Sequence, residues 1–434
     1  MNITVIGTGR LGAPYAAGMA SLGHHVLGVD ANPDTVAALQ TGKAPFAEPG
    51  LAEAITNGAA TGHLTFTGSY AEAARHATVH FIAVPTPQRT GSNHHDLSDV
   101  YAAADTLAGV IDKNSLIVVK SSVPAGTCDQ IATRIAQRAP SGVRIEVAAS
   151  PDFMREGCSI ADVRRPSRIV LGVQPGGAAE PILRDLWAPC LADGVPLVVT
   201  DLKTAELCKL AANAFLATRI SFVNALAMFS DAAGANIDDL AEVIGRDTRI
   251  GRHYLAPGLG FGGSCLSKDI RGFVALATDL GVGHSLEFLT AVDDINQARR
   301  GQAVDLAVKA LGGDPDGQPI AVWGAAFKPG IDDIRDSPAL DVAACLHEAG
   351  AHVTVYDPLA ISHARVEHPE LTYATDAVAA VDGARVLLHL TAWSEFAAID
   401  PATLTPGPIP TLVDARPGLD RDLWRAAGWT VSVL

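Results

Sequence analysis

The sequence predicts a mixed α/β protein in which two doubly wound units flank a helical centre. Three observations lead there. Short β-branched runs alternate with alanine-rich stretches over the first third of the chain. A nearly unbroken run of helix formers follows over residues 202–233, and the strand–helix alternation restarts beyond a turn-rich segment at 312–317. Strands that alternate with helices imply a parallel sheet covered on both faces.

In chain order, residues 3–6, 25–29, 79–84, 115–120 and 144–148 read as buried strands, with helices such as 34–40 and 70–76 between them. The charge-free stretch 11–29 approaches membrane-spanning length. It carries Pro14, four glycines and the pair His24-His25, so it reads as a soluble helix, turn and strand. Met1 runs straight into that first strand without the basic segment of a secretory leader. Over 202–233 no glycine or proline interrupts the helix formers. A helix of about 30 residues extends about 45 Å, more than one small domain covers, so it is expected to link domains or build a dimer interface. Gly312, Gly313, Asp314, Pro315, Asp316 and Gly317 mark a boundary, after which 320–323, a helix at 338–348, 352–356 and 386–389 resume the alternation. The expected division is 1–200, 201–312 and 313–434.

Composition narrows the function classes. The 434 residues carry 32 basic and 47 acidic side chains, a net charge of −15, and 48% are hydrophobic. Global disorder is excluded, and the acidic balance speaks against non-specific nucleic-acid binding while leaving room for a local basic pocket. The cysteines at 128, 158, 190, 208, 265 and 345 are scattered without a C-x-x-C pair, which predicts a reducing, cytosolic setting and no structural metal. All but Cys265 are expected to be small core residues.

Residues 3–12 form a strand running into Gly7-Thr8-Gly9-Arg10-Leu11-Gly12 and then a helix. Gly7 permits the tight turn, Gly9 lets the backbone approach a pyrophosphate, and Gly12 allows close helix–strand packing. Asp30 ends the second strand, where it can hold a ribose diol and repel a 2′-phosphate. This is a Rossmann fingerprint, and it predicts NAD as cofactor.

The most unusual stretch is Gly258-Leu259-Gly260-Phe261-Gly262-Gly263-Ser264-Cys265-Leu266-Ser267-Lys268-Asp269. Four glycines in six positions clear side chains from the approach to one thiol, Lys268 can steady its thiolate, and Asp269 is near enough to act as a base. On the expected long helix, Lys209 and Asn213 lie four apart and face one side.

With these residues the chain resembles the UDP-glucose/GDP-mannose dehydrogenase family. The resemblance runs through 120–124, 151–157, 205–218, 260–269, 326–338 and 414–416, almost the whole chain in family order. It implies an N-terminal Rossmann domain and a C-terminal Rossmann-like nucleotide-binding domain joined by a central helical region. It also implies NAD-dependent four-electron oxidation at the sugar C6, most like the UDP-glucose branch, with Cys265 forming a thiohemiacetal and then a thioester. The same chemistry on GDP-mannose or a UDP-N-acetylhexosamine is the rival. A two-electron hydroxyacid-type dehydrogenase and a non-catalytic nucleotide-sugar binder are weaker alternatives.

By the same resemblance Lys209 and Asn213 stabilise the oxyanion, Asp269 activates water, and Asp152 and Ser122 join the catalytic set. Gly7, Gly9, Arg10, Leu11, Gly12, Asp30, Thr86, Ser122, Glu156, Lys268 and Arg335 are expected to contact NAD. Asp152, Phe153, Met154, Arg155, Lys209, Asn213, Tyr254, Leu255, Ala256, Pro257, Gly258, Gly262 and Lys328 are expected at the nucleotide sugar. Arg249 and Arg416 are expected at its diphosphate and sugar end, Arg249 reaching across a homodimer. The chain departs from the family pattern at Ser122, Asp152, Ser150, Thr35, Leu266 and Ser267. Ser122 keeps the usual hydroxyl, Asp152 is one methylene shorter than the common glutamate, and Ser267 replaces a turn-stiffening proline.

Overall fold

Runs such as Leu116-Ile117-Val118-Val119 have no polar face to offer water, so each becomes a strand buried on both sides. In the computed structural model, which describes residues 1–434, such strands build one sheet in each of two units, Met1–Ala212 and Asn213–Leu434. The first contains β1 (Asn2–Ile6), β2 (His25–Val29), β3 (Leu64–Thr67), β4 (Val79–Ile82), β5 (Ser115–Val119), β6 (Ile145–Ala149), β7 (Ile169–Gly172) and β8 (Leu197–Thr200). Their order is 3-2-1-4-5-6-7-8. Alternation divides each strand between two cores: Leu116 and Val118 pack on one face with Ile3, Val5 and Phe81, while Ile117 and Val119 pack on the other with Ile6 and Ile82.

The second unit's sheet holds β9 (Pro319–Trp323), β10 (His352–Tyr356), β11 (Thr372–Tyr373), β12 (Val386–His389), β13 (Thr411–Asp414) and β14 (Thr430–Val433), in the order 11-10-9-12-13-14 and parallel throughout. Strand order reverses between β1 and β4 in one sheet and between β9 and β12 in the other. Crevices at the carboxyl ends of strands beside such reversals are where open α/β sheets bind ligands.

The expected strands are present, and the helix at Leu202–Ala233 has the expected span. The helix Pro338–Glu348 also forms as expected, with the Ser337 hydroxyl capping it and Pro338 in its first turn. Residues 11–29 fold as helix, turn and strand rather than as a span. The long helix is apolar and long enough to cross a membrane, yet it buries Glu206, Lys209, Asn213, Ser221 and Asn224 among protein groups.

Three expectations are corrected. Sequence reading missed β3, β7, β8, β11, β13 and β14, which run for two to four residues, too short for a period to show. The first sheet is not wholly parallel, because β6 and β7 meet antiparallel at Ala149 and Gly172. Cys158 and Cys345 are exposed rather than core residues. Cys158 sits at the cap position of the helix Ser159–Arg164 and Cys345 is an exposed position of the helix Pro338–Glu348, where a small thiol needs no cavity.

Candidate active site

In the first unit the glycine turn follows β1. Gly7 sits at φ +88°, with the Ala83 backbone 3.0 Å from where a side chain would begin, and a Cβ on Gly12 would fall 1.7 Å from the Gly7 carbonyl oxygen. Gly9 has nothing within 4 Å of that position, so its face is open to a ligand. The helix Gly12–Ser21 starts at a partly buried Leu11 with no side-chain cap; Ala13 N–H donates to the Gly9 carbonyl at 3.0 Å, and the positive end of the helix dipole faces the glycine turn without a side-chain acceptor. At the end of β2, Asp30 Oδ2 accepts from the Thr8 amide at 2.8 Å and its hydroxyl at 2.9 Å, and Oδ1 accepts from Asn32 N–H at 2.9 Å. Arg10 donates to Glu156 at 3.2 Å and lies over the Phe46 ring. The Thr86 hydroxyl donates to the Ser122 carbonyl at 2.9 Å, joining the ends of β4 and β5. An open glycine face, an uncapped helix start and a carboxylate anchored beside them fit an adenine dinucleotide with a free ribose diol.

Residues 152–155 follow β6. Asp152 Oδ1 accepts from Met154 N–H at 3.0 Å, a local turn that fixes the carboxylate. The Phe153 ring lies beneath Arg168 at 3.7 Å and Lys209 at 5.8 Å, and Met154 packs on the core. Arg155 is exposed and pairs with Asp162 at 2.7 Å. Two residues that sequence reading did not assign to the site hold this region. Buried Glu48 accepts from Gly157 and Ser159 N–H at 2.7 and 2.8 Å. Lys120, buried at the end of β5, donates to the Ser150 carbonyl at 3.4 Å and faces the Tyr15 ring at 4.6 Å. Burial pulls the Lys120 ammonium down to about 8; Asp152 opposes that shift and Lys209 adds to it.

In the second unit Cys265 is exposed and occupies the cap position of the helix Leu266–Asp279, a helix end that favours negative charge. One turn on, Asp269 is 1% exposed. Its Oδ1 accepts from Lys268 Nζ and its Oδ2 from Asn213 Nδ2, each at 2.6 Å, while its N–H donates to the Cys265 carbonyl at 2.9 Å. The fold therefore brings Cys265, Lys268, Asp269 and Asn213 together, with Lys209 one helical turn before Asn213. Lys268 and Asn213 here orient the carboxylate.

The glycine loop is held by residues that sequence reading missed. Asn224 Oδ1 accepts from Gly258 N–H at 2.9 Å, and Arg299 Nε donates to the Gly258 carbonyl at 3.0 Å. Asn296 grips Phe261 at both ends, accepting from its N–H at 2.8 Å and donating to its carbonyl at 2.9 Å. Gly260, at φ +89°, has Asn296 Oδ1 only 2.3 Å from where a Cβ would stand. The available signal was Asn296 and Arg299 on the buried stripe of Leu289, Val292, Ala303 and Ala307 in the helix Phe288–Ala310. Polar residues on such a stripe need built partners.

Tyr254 adopts φ +62° and is exposed, Leu255 is buried, and Leu259 N–H donates to the Ala415 carbonyl at 3.0 Å. A cavity of about 250 Å³ is lined by Leu255, Ala256, Pro257, Arg252, Arg416 and Arg421. Arg421 is neutralised by Asp414 at 2.7 Å and Asp238 at 3.1 Å. Arg416 donates to the Leu390 carbonyl at 3.0 Å and pairs with no carboxylate; burial and the nearby Arg300 charge lower it to about 10. A guanidinium held this way by Nε keeps its terminal N–H groups available for an anion. Arg249 does not line this cavity: it is 87% exposed and pairs with Asp247 at 2.6 Å. Gly262 and Gly263 let residues 327–338 close in, with the Asp336 carbonyl 2.2 Å and the Phe327 ring 2.7 Å from the respective Cβ positions. Lys328 lies 5.7 Å from that ring, and Arg335 pairs with Asp333 at 2.9 Å.

Comparison with known proteins adds to this geometry. Residues 1–191 match the NAD binding domain of the UDP-glucose/GDP-mannose dehydrogenase family, 203–298 its central domain and 321–421 its UDP binding domain. A UDP-glucose 6-dehydrogenase of Rhizobium meliloti is 41% identical over 92% of this chain and 91% of its own. A UDP-glucose dehydrogenase structure from Pyrobaculum islandicum superposes with a TM-score of 0.90 at 36% identity, covering 99% and 98% of the two chains. A UDP-D-ManNAc dehydrogenase from Pyrococcus horikoshii superposes at 0.84 with 25% identity, covering 99% of each.

Proposed function

The chain belongs to the UDP-glucose/GDP-mannose dehydrogenase family, and from that premise we propose that it oxidises UDP-glucose at C6 to UDP-glucuronate. One observation carries the reading: a buried carboxylate, Asp269, gripped by Asn213 and Lys268 one turn beyond an exposed thiol in a glycine loop. NAD+, when bound, accepts a hydride in each of two oxidations. Cys265 adds to the C6 aldehyde to form a thiohemiacetal, and the second oxidation leaves a thioester that water cleaves, freeing the thiol. One alcohol, two NAD+ and one water yield one carboxylate, two NADH and three protons. Lys209 and Asn213 hold the oxyanion, Asp269 takes the proton from the attacking water, and Asp152 and Ser122 complete the catalytic set.

Gly7, Gly9, Arg10, Leu11, Gly12, Asp30, Thr86, Ser122, Glu156, Lys268 and Arg335 would hold the cofactor. The 254–258 backbone, Gly262, Lys328, Phe153, Met154, Arg155 and Arg416 would hold the nucleotide sugar, Arg416 taking a charged oxygen. The functional division is 1–200 for NAD, 201–312 for the nucleophile and assembly, and 313–434 for UDP. The setting is the cytosol, with neither nucleic acid nor membrane as a partner.

The working form is a homodimer, with Arg249 reaching the partner's site. Phe215, Phe222 and Phe229 recur every seven residues on the long helix and are 63, 55 and 69% exposed. Each such ring gains about 2 kcal/mol on burial, so replacing all three by serine is expected to raise the dimer dissociation constant by about 100-fold or more. Light scattering across a dilution series measures this. An unshifted mass would overturn the assignment.

The same chemistry on GDP-mannose or a UDP-N-acetylhexosamine is the competing reading. Leu266, a residue also found in the mannose branch, and the likeness to the UDP-D-ManNAc dehydrogenase favour it. Counting NADH per sugar consumed, with each nucleotide sugar offered separately, decides. The reading expects two NADH per UDP-glucose; one per sugar would end the four-electron mechanism, and turnover of another sugar alone would reassign the substrate.

A further inference from the structure

Ser267 stands where the family signature has proline, and its hydroxyl is engaged. Buried in the first turn of the helix Leu266–Asp279, it donates to Asp336 Oδ2 at 2.7 Å. Asp336 Oδ1 accepts from Arg300 Nη2 at 2.7 Å, and Arg300, itself buried, also pairs with Asp341. On the other side of the thiol, the Asp336 backbone carbonyl accepts from Gly263 N–H at 3.3 Å and lies against Gly262. Asp336 thus holds the nucleophile loop before Cys265 by its backbone and after it by its side chain. It also sits at φ +48°, a conformation a non-glycine residue keeps only when surrounding contacts impose it.

A proline at 267 would set its own φ near −65° and narrow the conformations of Leu266, stiffening the turn from within. Serine has neither property. We propose that Ser267, Asp336 and Arg300 form a positioning triad that replaces the proline, fixing Cys265 and registering it with the segment carrying Arg335. The thiol and the expected NAD-contacting arginine then share one anchor, Asp336, adjacent to Arg335 in the chain. The consequence for turnover rests on the dehydrogenase reading above; the consequence for thiol reactivity does not.

The test uses the full-length protein as wild type, Ser267→Ala, Ser267→Pro and Asp336→Asn. The alkylation rate of Cys265 by iodoacetamide is followed by mass spectrometry alongside kcat and KM for UDP-glucose. Loss of a loop anchor displaces the reacting sulfur by a fraction of an ångström, so Ser267→Ala is expected to lower kcat about tenfold and slow alkylation at least about threefold, with KM changed less than about twofold. Asp336→Asn follows the same direction. Ser267→Pro, which restores stiffness without the hydrogen bond, is expected to return both rates to within about threefold of wild type. Wild-type alkylation and turnover in Ser267→Ala would overturn the proposal, as would a proline variant no better than alanine. If no sugar is oxidised by wild type, the functional reading fails while the alkylation series still decides the triad.

Discussion

Cys265→Ser is expected to abolish steady-state NADH formation from UDP-glucose, lowering kcat by a factor on the order of 10³ or more. A hydroxyl is far less nucleophilic than a thiolate at neutral pH, because it stays protonated where the thiol ionises. The substitution changes one exposed atom, so the thermal midpoint is expected to move by less than about 2 °C and substrate KM by less than about threefold. Stopped-flow absorbance at the NADH band, with differential scanning calorimetry on the same sample, measures both. Undiminished production of two NADH per sugar would remove the thioester from the mechanism.

The second large effect is expected at Asp269. Asp269→Asn keeps the volume and a carbonyl oxygen for the Lys268 ammonium but removes the proton acceptor, so kcat falls about 10²- to 10³-fold. The loss falls on hydrolysis of the thioester, and the acyl group therefore accumulates on Cys265. Intact-protein mass spectrometry after rapid acid quench detects it as an added mass equal to UDP-glucose less four hydrogens. Because a buried charge-assisted bond between Asp269 and Lys268 is weakened, the variant also loses about 1–3 kcal/mol of stability by urea titration. Unchanged turnover, or a kcat loss with no acyl-enzyme, would assign water activation to another group.

Both predictions stand on residues that the sequence displayed. Cys265 was visible because four glycines in six positions have no reason to precede a core cysteine, and Asp269 because it lies one helical turn further along. Asn213 was visible as a neighbour of Lys209 on a helix, and the structure adds that its amide nitrogen donates one hydrogen bond to Asp269. Lys268 was read as a cofactor contact and thiolate partner, and the structure adds that its ammonium pairs with Asp269. Arg155 and Arg249 were read alongside other substrate residues, and the structure adds that each also pairs with an acid in its own segment. Exposed arginines carry no local pattern that tells a ligand contact from a surface pair.

What the sequence determined by itself is local in character: the glycine turn with Asp30, the long helix, the buried central strands, and the cysteine loop. Periodicity and glycine placement act over a few residues and survive without knowledge of the rest of the fold. Tertiary structure decided how that loop is held. Asn296 reaches Phe261 across 35 positions, Asn224 reaches Gly258 across 34, and Ser267 meets Asp336 across 69. Such partners are chosen by which helix face packs against which loop. The reason is that a buried N–H or carbonyl demands some partner, while only the packed chain determines which side chain arrives.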